Sequence, residues 1–147
     1  MKRFFAWIVM FVAVLSMITV PAFASNCAEN TENIIDLGDG FYMVETISSY
    51  SLSRSGDIIY GNKSGNIYQG STLIGVANLY GTFDISGSTA KATSSSISGS
   101  GYNGGSYTGG TSNCSRNTVS GTANFTYNGM IKVGRLSITC SPDGTLS

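Results

Sequence analysis

The sequence predicts an all-β protein: an antiparallel β-sandwich of about seven or eight short strands, with an open β-barrel as the alternative. Two observations support this prediction. After Ala24 no stretch shows the 3.6-residue apolar period of an amphipathic helix, whereas alternation of apolar and polar residues recurs. All 19 glycines lie after Ala24, and several follow a large β-forming residue and a polar one, which indicates many tight turns.

The first 24 residues have the three parts of a secretory signal peptide. Lys2 and Arg3 precede an apolar run over residues 4–20, and Ala22-Phe23-Ala24 supplies the small residues of a cleavage site. We therefore predict removal of residues 1–24 and a secreted, extracellular protein. The alternative is attachment to the membrane, either by an uncleaved signal or by a lipid on Cys27.

After the signal, the sequence predicts a flexible N-terminal segment over residues 25–32 and a single β-sandwich domain over residues 33–147. The whole chain carries 8 basic and 8 acidic side chains, so loss of Lys2 and Arg3 leaves a small acidic excess. Such a surface attracts neither a phosphate backbone nor anionic lipids. We therefore expect no nucleic-acid partner and no membrane span in the processed protein.

Two hairpins are predicted in the first half of the domain. Residues 33–36 and 41–47 are β-forming and flank Leu37-Gly38-Asp39-Gly40, which predicts the first turn. The sequence Tyr68-Gln69-Gly70-Ser71 predicts the second. In the first turn, Asp and Gly are explained by their tolerance of turn conformations, because the alternating acidic spacing of a calcium loop is missing.

A third hairpin is predicted at Ser86-Gly87. A two-residue turn at this point would place Phe83 opposite Ala90 and Gly81 opposite Ala92. Both alanines would then join Phe83 on the core face, so that one register satisfies the alternation of both strands.

The strongest turn signal is Asn128-Gly129, since both residues tolerate the positive φ of a type I′ turn. It predicts strands over residues 119–127 and 130–140, with Tyr127 opposite Met130. Lys132 falls on the apolar face of this hairpin. We expect a β-bulge at Gly134 to exchange the two faces of the second strand.

The segment 94–114, SSSISGSGYNGGSYTGGTSNC, contains one aliphatic residue and no charge. Residues 94–98 are predicted to continue a strand, whereas residues 99–110 are rich in glycine and predict a long loop or a weak edge hairpin. Two interpretations of Tyr102, Asn103 and Tyr107 are open. Either the tyrosines lie back on the sandwich in a plain crossover, or they form a binding surface with the composition of an antibody paratope.

Three cysteines remain after processing, and an odd number in an exported protein leaves one thiol unpaired or bonded to another chain. Cys140 is predicted near the end of a strand, and Cys114 precedes the strand that should pair with it. We therefore expect a Cys114–Cys140 disulfide and an unpaired Cys27. Three reduced thiols are the alternative.

Four stretches resemble a family of small secreted proteins from Gram-positive bacteria. They are DLGDGFYMVETI at 36–47, GTFDISGSTAKATSSS at 81–96, ANFTYNG at 123–129 and LSITCSPDGTLS at 136–147. The resemblance covers most of the chain after the signal. It implies an exported all-β protein and no particular activity.

The residues that catalysis most often needs are missing from the sequence. The chain has no His and no G-x-S-x-G motif, and its glycine-rich run GSGYNGG at 99–105 lies in β context rather than between a strand and a helix. We therefore predict no catalytic residue, no metal site and no cofactor. The favoured function is a non-catalytic extracellular interaction module that binds a protein or a glycan through its loops. The alternative is a structural or self-associating protein, for instance a homo-oligomer, and a hydrolase that uses two carboxylates is a distant third.

Overall fold

The computed structural model describes residues 32–50 and 57–147. These residues form eight strands and no helix, so none of the described segments could cross a membrane as a helix. The strands are β1 (Glu32–Gly38), β2 (Phe41–Tyr50), β3 (Ile58–Gln69), β4 (Thr72–Asp84), β5 (Lys91–Gly101), β6 (Ser106–Ser115), β7 (Thr118–Tyr127) and β8 (Met130–Thr139). The predicted signal peptide and most of the predicted flexible segment lie outside the described residues, and β1 begins at Glu32.

The strands form two antiparallel sheets. Sheet A has five strands in the order β1-β2-β3-β4-β5, and sheet B has three in the order β6-β7-β8. Within each sheet every strand pairs with its neighbour in the sequence, so both sheets are meanders. The sheets pack face to face without closing on each other, which confirms the β-sandwich rather than the open barrel.

Alternation along the strands places one apolar face of each sheet in the shared core. Sheet A and sheet B both contribute fully buried aromatic and aliphatic side chains. The largest are Phe41, Met43, Ile67, Ile74, Leu79 and Phe83 from sheet A, and Val119, Phe125, Leu136 and Ile138 from sheet B.

Glycines on the inward faces let the two sheets approach each other closely. A Cβ atom at Gly75 of β4 would lie 2.4 Å from the ring of Phe125, which belongs to sheet B. A Cβ atom at Gly121 of β7 would lie 2.8 Å from both Leu79 and Ile97 of sheet A. Large side chains of one sheet therefore fill the space that the missing side chains of the other leave open.

The register predicted for the Ser86-Gly87 hairpin is wrong. Strand β4 ends at Asp84 and β5 begins at Lys91, so the connection is longer than two residues. Phe83 lies opposite Ala92, and a β-bulge follows Thr82 in the ladder. The backbone N–H of Ser86 donates to Oδ1 of Asp84, a local bond that begins the connection. Because the register moves by two residues, Ala92 still faces the core as predicted.

The Asn128-Gly129 hairpin is confirmed, with Tyr127 opposite Met130 and a φ of 49° at Asn128. The predicted bulge at Gly134 is wrong, because β7 and β8 pair without interruption and Gly134 lies buried opposite Ala123. Inward positions therefore alternate along the whole of β8. As a result Lys132 points into the interior.

Candidate functional site

The glycine-rich segment around Tyr102 forms two strands joined by a tight turn rather than a long loop. This turn connects sheet A to sheet B, because β5 pairs with β4 and β6 pairs with β7. Strand β5 continues to Gly101 and β6 begins at Ser106. The turn between them has a φ of 49° at Asn103 and 86° at Gly104, and the N–H of Gly105 donates to the carbonyl of Tyr102. These are the features of a type I′ turn. Residues 99–101 pair with β4 and residues 106–110 pair with β7, so the expectation of a long loop or a weak edge hairpin is wrong.

Two of the three predicted binding residues make contacts within the protein. The ring of Tyr107 lies 5.4 Å from that of Phe125 and covers Gly99, where a Cβ atom would meet it at 2.5 Å. The Nδ2 atom of Asn103 donates to the carbonyl of Leu73 at 2.8 Å. Tyr102 differs, because it is 46% exposed. The binding hypothesis for this segment therefore depends on Tyr102.

The structure does not contain the expected Cys114–Cys140 disulfide, and both thiols are free. Cys114 lies on β6 opposite Val119, and Cys140 follows β8 and donates its N–H to Asn117. Strand β7 therefore separates them, at two strand spacings or about 9.6 Å. A disulfide requires Cα atoms within about 7 Å. Cys27 lies outside the described residues.

The outer face of sheet A carries tyrosines that the sequence analysis did not assign to a site. Sheet B packs on the inner face, so the outer face is open to solvent. The ladder places Tyr42 of β2 opposite Tyr68 of β3, and Tyr80 of β4 opposite Asn62, two residues from Tyr60. We call this surface, defined here by Tyr42, Tyr60, Tyr68 and Tyr80, the tyrosine face.

The four tyrosines form two pairs at opposite ends of β3. The rings of Tyr42 and Tyr68 are stacked, with centroids 5.2 Å apart and an interplanar angle of 13°. Tyr60 and Tyr80 are 42% and 46% exposed and sit on neighbouring strands. Eight residues separate Tyr60 from Tyr68, which corresponds to about 26 Å along an extended strand.

Between the two pairs the tyrosine face is polar and carries no charge on its three central strands. Val44 and Val76 are half-buried there, and the exposed Ile34 of β1 lies opposite Val44. The other side chains between the pairs are amides and hydroxyls, namely Thr46, Asn62, Ser64, Asn66 and Asn78. Charged side chains of this face are confined to β1 and to the Asp84–Lys91 pair at one end. The centre can therefore donate and accept hydrogen bonds without attracting either sign of charge.

Several carboxylates of the described residues are held in the ionised form. Three have a pKa below the usual range because of a hydrogen bond that each accepts: Asp39 from Lys132, Asp84 from Ser86 and Asp143 from Ser141. The acid of a glycosidase needs the opposite shift, a raised pKa. No three His, Cys, Asp or Glu side chains in the described part of the chain lie close enough to hold a metal ion. These groups therefore lend no support to the hydrolase alternative.

Comparison with family models, with curated proteins and with solved structures gives no match to this chain. The resemblance to a secreted Gram-positive family therefore stays a prediction from the sequence. The fold and the surface chemistry of the tyrosine face are therefore the basis of the function proposed below.

Proposed function

We propose that the protein is a secreted, non-catalytic module that binds an extended, neutral polysaccharide along the outer face of sheet A. One observation carries this proposal. Two tyrosine pairs lie at opposite ends of β3, with about 26 Å between Tyr60 and Tyr68. The uncharged strip between the pairs carries mostly amide and hydroxyl side chains beside Val44 and Val76.

The chemistry of a sugar chain fits this arrangement. A pyranose ring has a weakly polar C–H face and a rim of hydroxyl groups. A tyrosine ring offers a flat apolar surface with a polar edge, at the cost of only two side-chain torsions. Side chains such as Asn62, Ser64 and Asn78 can donate to and accept from sugar hydroxyls. The distance between the tyrosine pairs leaves room for several sugar units in a row.

A protein partner fits the tyrosine face less well than a polysaccharide. Tight protein interfaces use apolar or aromatic anchors that enter pockets near the centre of the contact. On the tyrosine face the aromatic groups lie at the two ends, and the centre is polar. An acidic or basic polymer would find no complementary charge in the centre.

The test is a binding titration with soluble neutral polysaccharides, for example glucans, mannans and xylans, against the variant Tyr60→Ala/Tyr80→Ala. Loss of two exposed aromatic contacts at about 1 kcal/mol each should weaken binding by about 30-fold. Tyr102→Ala, which removes a tyrosine as exposed as Tyr80, separates the tyrosine face from the β5–β6 turn. Neutral-polysaccharide binding that is lost in Tyr102→Ala but kept in the double variant would contradict the proposal.

Self-association is a second candidate, and edge strand β8 favours it. Ile131 and Val133 are exposed on this strand, which has a free edge in sheet B. Light scattering over a range of protein concentrations tests this candidate, with Ile131→Lys as the variant. A mass that rises with concentration in the parent but not in the variant would support it, and a constant monomer mass would exclude it.

A further inference from the structure

A polar groove crosses sheet B, and its lining also includes Glu45 and Lys63 from sheet A, away from the tyrosine face. Its volume is about 530 Å³, within the range of small-ligand sites. Thr111, Thr122 and Arg135 form one cross-strand row, and Asn113, Ser120 and Ser137 form the next. Most of the lining side chains therefore carry oxygen or nitrogen, which suits a hydroxylated ligand rather than an apolar one.

The charges of the groove leave one cation without a partner. The ammonium of Lys63 lies 3.6 Å from Oε2 of Glu45, and both side chains are largely buried at the groove. Arg135 is exposed and makes no ion pair with any of the described residues. The lining of the groove thus has an excess of one positive charge, although the chain after the predicted signal is slightly acidic.

A guanidinium among hydroxyl groups is suited to an oxyanion. Its planar fork of N–H donors matches the two oxygens of a carboxylate, or two oxygens of a phosphate. The hydroxyls of Thr111 and Thr122 lie 2.9 Å apart and hydrogen-bond each other, so the row beside Arg135 is already ordered. The remaining Asn and Ser side chains can reach hydroxyl groups next to such an oxyanion.

We propose that this groove is a second binding site, which takes an anionic hydroxylated ligand with its oxyanion on Arg135. The source of the oxyanion is either the carboxylate of an acidic sugar or the phosphate of a polyol phosphate. This site is independent of the tyrosine face, and each surface can be tested with the other intact.

The experiment is an NMR or calorimetric titration of the full processed chain with three probes: glucuronate oligosaccharide, glycerol phosphate and a neutral oligosaccharide of equal length. We expect one of the two anionic probes to bind, and Arg135→Gln to weaken that binding by about tenfold or more. Tyr60→Ala/Tyr80→Ala should bind the anionic probe as the parent does. The stronger of the two anionic probes identifies the source of the oxyanion.

Arg135 is exposed, so the substitution should leave the fold intact, and circular dichroism checks this. Lys91→Gln removes an exposed cation outside the groove and is the matched control. Equal binding to the parent and to Arg135→Gln, equal affinity for the neutral and anionic probes, or no binding of either anionic probe would each overturn the proposal.

Discussion

Replacing Lys132 by Met tests the account of the sandwich interior most sharply. Lys132 lies on the inward face of β8, and its side chain is 9% exposed. Its ammonium donates to the carbonyls of Leu37 and Gly38 and to Oδ2 of Asp39, at 3.4, 3.1 and 2.7 Å. It also stands 4.6 Å from the ring centroid of Phe41. One side chain of sheet B thus holds the β1–β2 turn of sheet A.

The change in stability on replacing Lys132 by Met is the difference between lost hydrogen bonds and a relieved desolvation cost. Hydrogen bonds from a charged donor contribute about 1.5–3 kcal/mol each. The ion pair with Asp39 adds little to this, because that carboxylate is 75% exposed and solvent screens it. Met retains the apolar stem and removes the several kcal/mol that burying an ammonium costs. We therefore expect a net loss of about 1–2 kcal/mol, which corresponds to a fall in Tm of about 4–8 °C.

The pH dependence has a defined sign. In the folded state the pKa of Asp39 lies below its ordinary value of 3.8. The main cause is the hydrogen bond from Lys132, and the second is the positive charge of Lys132. The Lys132–Asp39 interaction therefore stabilises the fold fully at a pH above the pKa that Asp39 has in the unfolded chain. This stabilisation is lost as the pH falls through the lower pKa that Asp39 has in the folded protein. The stability difference between the parent and Lys132→Met should therefore shrink below about pH 4.

The assay is urea and thermal unfolding followed by circular dichroism, with Lys91→Met as an exposed lysine control. The control should change stability by no more than about 0.5 kcal/mol. A Lys132→Met variant that is as stable as the parent, or more stable, would refute this reasoning, because desolvation of the ammonium would then outweigh its hydrogen bonds.

Two further predictions follow from the glycines and the thiols. Gly75→Ala should lower the free energy of unfolding in urea by about 1–3 kcal/mol, since the new methyl group meets the ring of Phe125. In the control Gly87→Ala the new methyl group meets nothing closer than 3.9 Å, so stability should change little. Equal losses of stability in the two variants would argue against close packing of the sheets. In the native protein a maleimide should label the exposed Cys114 quickly and the buried Cys140 slowly. The pKa of the Cys140 thiol is raised, mainly by burial and to a lesser extent by the negative charge of Asp143. Resistance of both thiols until a reductant is added would instead indicate a disulfide.

Local turn chemistry made the Asn128-Gly129 hairpin predictable to the residue, because both turn residues suit a type I′ conformation. Ser86-Gly87 gave a weaker signal: the side chain of Asp84 and a bulge after Thr82 lengthen the connection. The core face of that hairpin was nevertheless predictable, since a shift of two residues preserves the alternation.

The sheet surfaces could not be derived from local pattern alone. Alternation indicates that Tyr80 points away from Leu79. It does not reveal that Tyr60 lies diagonally across from Tyr80, because that placement depends on how β3 pairs with β4. Glycine density was similarly misleading between residues 99 and 110. In this sandwich an inward glycine such as Gly99 accommodates a ring from the facing sheet, so glycine favours close packing there.

The most direct test of the proposed function is a map of amide chemical-shift changes as a neutral oligosaccharide is titrated into residues 25–147. The account predicts changes along β3 between Tyr60 and Tyr68, and on the neighbouring parts of β2 and β4, with sheet B unaffected. Two results would contradict this prediction. One is a set of changes confined to the turn at Tyr102–Gly105 or to the groove around Arg135. The other is no change with any neutral oligosaccharide of several sugar units.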